Sequence, residues 1–181
     1  FRCPQQAETL AEIAESRGES FYRGRLARCI AAASGLDGGA MTQDDLATHE
    51  SLWVDCISQD FGDLCIHEIP PNGQGLAALI ALGILDRLQI DQYPPDSADS
   101  VHLQIEAMKV GFAEAHRHVA DPAAMEAKVK TLLDPNQLAR RAAAIKMNQA
   151  DFPASQVSAD RGTVYLCAAD QSGVMVSFIQ S

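Results

Sequence analysis

The sequence has 181 residues, 47% of them hydrophobic, and a formal net charge of −10. This length is enough to bury a core, and it predicts one domain or a large part of one. The acidic balance, without any Lys/Arg-rich run, argues against nucleic acid as a partner, and the longest apolar stretch is about half of the ~20 residues that a membrane-spanning helix needs.

The first part of the chain is predicted to be helical. Apolar residues at helical spacing predict one helix over 5–17, ended by Gly18, and a second over about 20–33. After a glycine-rich loop, Thr42 is followed three positions later by Asp45. This is a variant of the capping box and predicts a short helix directly after Thr42.

The middle of the chain is predicted to contain a hairpin and then a core helix. Two short runs rich in apolar or β-branched residues, 53–58 and 63–69, are separated by turn residues at 59–62, which together predict a β-hairpin. The segment 75–88 is apolar on nearly every face, which is typical of a buried helix.

Two further helices follow. One is predicted over about 99–119 and ends before Asp121-Pro122. Another begins at Asp134-Pro135, residues that suit the N-cap and first positions of a helix. The polar, aperiodic segment 147–162 is predicted to be a mobile linker. The apolar residues of the 99–119 helix fall on one stripe, which is formed by Val101, Ile105, Met108, Phe112 and Ala115.

The end of the chain is predicted to form a second hairpin. Two runs of strand-forming residues, 163–169 and 174–181, flank the sequence Asp-Gln-Ser-Gly at 170–173. An acidic first residue and a glycine at the fourth position suit a three-residue loop built from a type I turn and a bulge.

This loop fixes a register for the hairpin. Asp170 then faces Val174, so that Thr163 falls opposite Ser181; a two-residue loop would instead place Thr163 opposite Gln180. One face of the hairpin is predicted to be apolar and suited to packing against helices. Its residues are Val164, Leu166, Ala168, Val176 and Phe178.

These elements predict an α+β fold that is mainly helical and has two short hairpins. We expect three segments: a helical portion over 1–146 with the first hairpin near 53–69, the linker over 147–162, and the second hairpin over 163–181. No internal repeat is present in the sequence.

Six stretches, in chain order, carry a family resemblance. They are Phe21-Tyr22-Arg23-Gly24; Gly38-Gly39-Ala40-Met41-Thr42 with Asp45-Leu46; Pro70-Pro71-Asn72-Gly73-Gln74-Gly75; Glu106-Ala107-Met108-Lys109; Ala120-Asp121-Pro122; and Gly162-Thr163-Val164-Tyr165 through Ser181. Together they resemble the γ-glutamyltransferase family of N-terminal nucleophile hydrolases. The likeness is to an internal piece that covers the end of the large subunit and the start of the small one.

The resemblance implies a four-layer αββα fold and a precursor that cuts its own chain at the Gly162–Thr163 bond. It also implies that Thr163 is the nucleophile and that Ser181 supplies a supporting hydroxyl. The sequence departs from the commonest family pattern at Val164-Tyr165, where Thr or Ala followed by His usually stands.

The chemistry explains why a chain would expose a threonine. A threonine hydroxyl is a weak nucleophile at neutral pH and needs a base beside it. A freed α-amino group titrates near ~7.7–8.0 and lies on the same residue. Cleavage before Thr163 would therefore create both groups together, whereas an uncut chain is predicted to be inactive.

The resemblance implies a γ-glutamyltransferase or hydrolase that passes a γ-glutamyl group from a glutathione-like donor to water or an amine through an acyl-enzyme. The remainder of both subunits is the expected partner, and no cofactor or metal is expected. By the same resemblance, the donor-binding arginine lies before Phe1 and the oxyanion-hole glycines lie beyond Ser181, so this piece alone is predicted to be inactive. The alternatives are a noncatalytic helical interaction domain, a related acylase and a capsule transpeptidase.

The remaining candidates have simpler interpretations. The five cysteines contain no Cys-x-x-Cys pair, which favours reduced structural thiols and a cytoplasmic location, although a periplasmic or secreted one stays open. His102, His116 and His118 are predicted to be surface or core-edge residues rather than ligands. Gly73-Gln74-Gly75 at a helix start lacks the Lys and the strand of a phosphate loop.

Overall fold

The computed structural model describes residues 2–151 and 164–180, and it divides into two compact units, Phe1–Trp53 and Val54–Ser181. The first unit is helical. Its helices are α1 (Pro4–Glu15), α2 (Glu19–Arg23), α3 (Arg25–Leu36) and α4 (Gln43–Ala47).

The capping box before α4 is confirmed. The Thr42 hydroxyl accepts the Asp45 N–H at 3.2 Å, and the Asp45 carboxylate accepts the Thr42 N–H at 2.7 Å. These bonds satisfy backbone donors that the first turn of a helix leaves without intrahelical partners. They fix the start of α4 at the position that the sequence predicts.

The single helix predicted over 20–33 is wrong, because the chain breaks at Gly24 into α2 and α3. A Cβ at Gly24 would meet the Ser20 Cα at 2.5 Å, so only a glycine allows the two helices to turn so tightly there. Glu12 of α1 spans the break, since its carboxylate accepts hydrogen bonds from Ser20 and Arg25.

The second unit mixes helices with two antiparallel hairpins. Its elements are β1 (Ile57–Phe61), β2 (Leu64–Glu68), α5 (Gly75–Arg87), a 3-10 turn (Ile90–Gln92), α6 (Ala98–His118), α7 (Val129–Leu132), α8 (Pro135–Ala144), β3 (Val164–Ala169) and β4 (Met175–Gln180). The prediction of a mainly helical chain with two hairpins is confirmed. No helix in the described ranges is long and apolar enough to cross a bilayer.

The first hairpin is shorter than predicted. Its strands pair from Ile57 with Glu68 to Phe61 with Leu64, so the turn lies at Gly62-Asp63 rather than at 59–62. Gly62 has a φ of +56°, which suits glycine, and its N–H donates to the Asp86 carboxylate at 3.0 Å. The strand predicted from residue 53 begins four residues later, and Trp53 is fully exposed.

The core of the second unit is built around α5, as predicted. Leu76, Ile80 and Ile84 of this helix are completely buried, and Leu103 of α6 and Leu138 of α8 pack into the same cluster. The α8 helix begins where predicted, since the Asp134 carboxylate caps it by accepting two backbone N–H groups. The Asp134-Pro135 pair is therefore sufficient to predict from the sequence where α8 begins.

The apolar stripe of α6 is not the face that the helix buries. Ile105 is 51% exposed and Phe112 is 45% exposed, and the buried face instead carries Leu103, Ala107 and Gly111. A Cβ at Gly111 would lie 2.4 Å from the carbonyl oxygen of Ala77. The α5–α6 contact therefore uses small residues and close backbones, not the largest side chains.

Candidate functional site

The candidate catalytic segment begins at the second hairpin. Strands β3 and β4 pair antiparallel without interruption, from Val164 opposite Gln180 to Ala169 opposite Met175. This is the register predicted for a three-residue loop. The alternative two-residue loop is excluded, because it would pair Thr163 with Gln180, which already pairs with Val164.

The turn of this hairpin is held by one carboxylate. Asp170 Oδ1 accepts the N–H of Ser172 at 2.8 Å, the hydroxyl of Ser172 at 2.6 Å and the N–H of Val174 at 3.1 Å. These hydrogen bonds hold the pKa of Asp170 below its ordinary value. Gly173 has a φ of +86° and donates its N–H to the Asp170 carbonyl, which completes the predicted type I turn and bulge.

Gly162, Thr163 and Ser181 lie outside the described residues. The confirmed register ends one pair short of Thr163 and Ser181. The assignments of the processing bond, the nucleophile and the supporting hydroxyl therefore stay predictions. The linker prediction for 147–162 also falls largely outside the described part, which resumes at Val164.

Both faces of the hairpin are exposed along its described length. The apolar face is not buried, since Leu166 is 49% exposed and Phe178 is 51% exposed. The other face carries Tyr165, whose hydroxyl accepts a hydrogen bond from Ser177 at 3.2 Å.

A polar cluster on α6 contacts the segment 146–151. Three residues of α6, spaced i, i+4 and i+7, contact the segment 146–151. His102 Nε2 lies 2.9 Å from the carbonyl oxygen of Lys146. Glu106 Oε2 accepts the N–H of Asp151 at 3.0 Å, and Lys109 Nζ donates to the carbonyl of Asp151 at 2.6 Å.

Glu106 is the buried member of this cluster, with 4% of its surface exposed. Burial alone would raise the pKa of its carboxyl group. Hydrogen bonds from Lys109, at 2.6 Å, and from the Asp151 amide outweigh that effect, and with the charges of Lys109 and His102 they hold the pKa below its ordinary value. The side chain is therefore ionised at neutral pH and fully engaged with its partners.

The sequence did not indicate this cluster. In the sequence, Glu106 and Lys109 belong to a stretch that resembles the family, and His102 is predicted to be a surface or core-edge histidine. The available signal was the 3.6-residue period, which places His102, Glu106 and Lys109 on one side of a helix. Their partner segment is more than forty residues away in the chain, so spacing could not identify it.

The other candidates are not assembled into sites. Gly75 begins α5, but the Glu68 carboxylate lies against it, and that negative charge opposes an anion at this helix end. His118 contacts Glu114, which also binds Arg141 at 2.7 Å and so links α6 to α8. All five cysteines are free and exposed. Within the described ranges, no group of His, Cys, Asp and Glu could hold a metal ion.

Comparison with known proteins gives a family match over the whole chain. Residues 1–181 match the family profile described as Gamma-glutamyltranspeptidase. The oxamate amidohydrolase proenzyme of Klebsiella pneumoniae is 35% identical over 100% of this chain and 34% of its own length. The glutathione hydrolase-like YwrD proenzyme of Bacillus subtilis is 32% identical over 97% of this chain and 33% of its own length.

Solved structures agree with this match. A cephalosporin acylase from Bacillus halodurans superimposes with a TM-score of 0.73 and 42% identity, over 98% of this chain and 32% of that one. A gamma-glutamyltranspeptidase from Pseudomonas nitroreducens gives a TM-score of 0.65 and 28% identity, over 84% of this chain and 46% of that one. The chain thus spans about a third of the length of the curated relatives it matches.

Proposed function

Because the chain belongs to the gamma-glutamyltranspeptidase family of N-terminal nucleophile hydrolases, we propose that it is part of a proenzyme that cuts itself at the Gly162–Thr163 bond. The family match over residues 1–181 carries this proposal. The described relatives are themselves named as proenzymes. The hairpin register supports it, because one further step of the same pairing would bring Thr163 opposite Ser181.

The cut supplies the catalytic groups. Hydrolysis of the Gly162–Thr163 amide consumes one water and leaves a carboxylate on Gly162 and an amine on Thr163. The amine then serves as the base for the Thr163 hydroxyl, which attacks the carbonyl of a substrate amide. The substrate's amine leaves with a proton, and water or an acceptor amine resolves the acyl-enzyme. Ser181 is proposed to hold the Thr163 hydroxyl by a hydrogen bond.

The first candidate donor is a γ-glutamyl amide such as glutathione, in line with the family. A second candidate is a different amide, which would make the protein an acylase or amidohydrolase. The specific observation for this is that an oxamate amidohydrolase and a cephalosporin acylase are among the similar proteins, at 35% and 42% identity. Both candidates use the same attack on an amide carbonyl, so they differ in the acyl pocket and not in the nucleophile.

The test uses the full-length protein. Intact-mass analysis and N-terminal sequencing should show a new chain that begins at Thr163. Thr163→Ala should abolish both this cut and turnover of γ-glutamyl-p-nitroanilide, because it removes the hydroxyl. Thr163→Ser is the matched variant, since it keeps a hydroxyl and should retain measurable cutting.

The outcomes separate the candidates. Turnover of a glutaryl or oxamyl amide in place of the γ-glutamyl anilide, with the cut intact, would favour the second donor class. A full-length protein that stays uncut and inert toward all three amides would overturn the proposal. The 181-residue chain by itself is expected to hydrolyse none of them, since it spans only about a third of its relatives' length.

A further inference from the structure

The buried face of α6 contains one charged residue, Glu106, which binds the backbone of Asp151. Glu106 is 4% exposed and lies beside Leu103 and Ala107, which are also buried. A carboxylate in such a place is costly unless hydrogen bonds satisfy both of its oxygens. Here one oxygen binds the Lys109 ammonium and the other binds the Asp151 N–H.

Asp151 is held at both of its backbone groups. Its N–H donates to Glu106, and its carbonyl accepts from Lys109 at 2.6 Å. A second attachment lies five residues earlier, where the Lys146 carbonyl contacts His102. The segment 146–151 is therefore tied to α6 at both ends by side chains on one side of the helix. These bonds involve no side chain of the segment, so they fix where the backbone runs.

The attachment at Asp151 lies close in the chain to the Gly162–Thr163 bond. Asp151 is eleven residues before Gly162, whereas the end of α8 lies at Ala144, eighteen residues before it. A fixed point closer to the bond allows it fewer positions relative to the rest of the fold, and this restriction weakens roughly as the −3/2 power of the number of intervening residues. Losing the attachment would lengthen that stretch from eleven to eighteen residues and make any one position of the bond about twofold less populated.

We propose that His102, Glu106 and Lys109 form an anchor that holds residues 146–151 on α6 and so positions the Gly162–Thr163 bond for self-cleavage. This inference rests on the proposed function, because it presupposes that the bond is cut. The three side chains are positioning residues, because their described contacts are with the backbone of residues 146 and 151 and not with the bond itself. The anchor acts before the cut and has no part in the turnover of substrate by the processed enzyme.

The test compares two glutamates of the same helix in the full-length protein. In Glu106→Gln, the amide has one acceptor and one donor end, so it cannot serve both the Lys109 ammonium and the Asp151 N–H. Glu114→Gln is the matched control, because it weakens the ion pair with Arg141 of α8 and leaves the anchor in place. Cleavage is followed after synthesis by the appearance of the chain that begins at Thr163.

We expect Glu106→Gln to slow cleavage at least about twofold relative to the native protein, and Glu114→Gln to leave its rate within error. Fully processed Glu106→Gln enzyme should keep the native kcat. Hydrogen exchange of the uncut protein should show faster exchange at 146–151 in Glu106→Gln, with α5 amides still protected. A purely structural role would instead accelerate exchange throughout the unit.

Two results would overturn the anchor. One is native cleavage by Glu106→Gln together with native exchange at 146–151; the other is equal slowing of cleavage by both glutamate variants. Failure of the proposed function looks different, because the native protein itself would then stay uncut.

Discussion

Glu106 illustrates how a single charge can be retained in a helical core. Its two oxygens have two different partners, and one of them is a backbone amide from a distant segment. Among the described residues, no buried side-chain nitrogen or oxygen lacks a partner. The carboxylate is therefore ionised in the folded protein at neutral pH. Its contribution to the stability of the fold depends on pH.

The first prediction concerns this pH dependence. The folded protein lowers the pKa of Glu106 below its ordinary value of 4.5. A group with a depressed folded pKa contributes stability above its unfolded pKa and loses that contribution as pH falls through the folded one. Urea unfolding should show that Glu106→Gln costs about 1–3 kcal/mol at pH 7. This difference should shrink below pH 4.5.

The charges of Lys109 and His102 both lower the pKa of Glu106, so they act in the same direction as this prediction. The control is Thr48→Ala, on an exposed side chain of the other unit, which should show no such pH trend. A gap between native and Glu106→Gln protein that widens as the pH falls would contradict the prediction.

At the scale of elements, local signals in the sequence predicted those features that depend on neighbouring residues. Thr42 with Asp45 fixed the start of α4, and Asp134 fixed the start of α8. The second hairpin was predicted with its register, because Asp170 and Gly173 determine the loop by their own side chain and φ. In each case the responsible atoms lie within five residues of one another.

Two close approaches of the backbone were not predicted. One lies at the break between α2 and α3, where Gly24 meets Ser20, and the other lies on the buried side of α6, where Gly111 meets Ala77. The large apolar residues Ile105 and Phe112 of α6 stay exposed. Small residues occupy the buried side, because they allow the backbones of α5 and α6 to meet. The anchor at Glu106 was missed because its partner, Asp151, is 45 residues away in the chain.

The second prediction tests the α5–α6 contact. Gly111→Ala would place a Cβ 2.4 Å from the Ala77 carbonyl oxygen, and two helix backbones would have to separate to relieve this. We expect a loss of about 1–3 kcal/mol in the free energy of unfolding, measured by urea titration with circular dichroism.

The matched control is Gly35→Ala near the end of α3, where an added Cβ meets nothing within 4 Å. This change should be neutral or slightly stabilising, because alanine is the better helix former by up to about 1 kcal/mol. Equal effects of the two substitutions would show that the backbone approach at Gly111 is not what selects glycine there.

At the scale of the whole chain, the two units differ strongly in how much they bury. Among the described residues of Phe1–Trp53, the buried apolar side chains are Leu26, Ala27 and Leu46, and α1 buries none of its residues. In Val54–Ser181 ten residues from α5 to α8 form one cluster. Local opening requires less free energy where fewer apolar contacts are lost, so the two units are expected to open separately.

The last prediction follows from this difference and uses hydrogen exchange of the 181-residue chain. Amides of α1 should exchange first and those of α5 last. Leu138→Ala removes a completely buried side chain of α8 that packs on α5, at a cost of about 2–5 kcal/mol. It should therefore accelerate exchange in α5, α6 and α8 while leaving α1 to α4 unchanged. Leu36→Ala, on a side chain that is 89% exposed, is the control and should change neither unit. Faster exchange in α2 and α3 of the Leu138→Ala chain would contradict separate opening, because it would mean that the core around α5 also stabilises Phe1–Trp53.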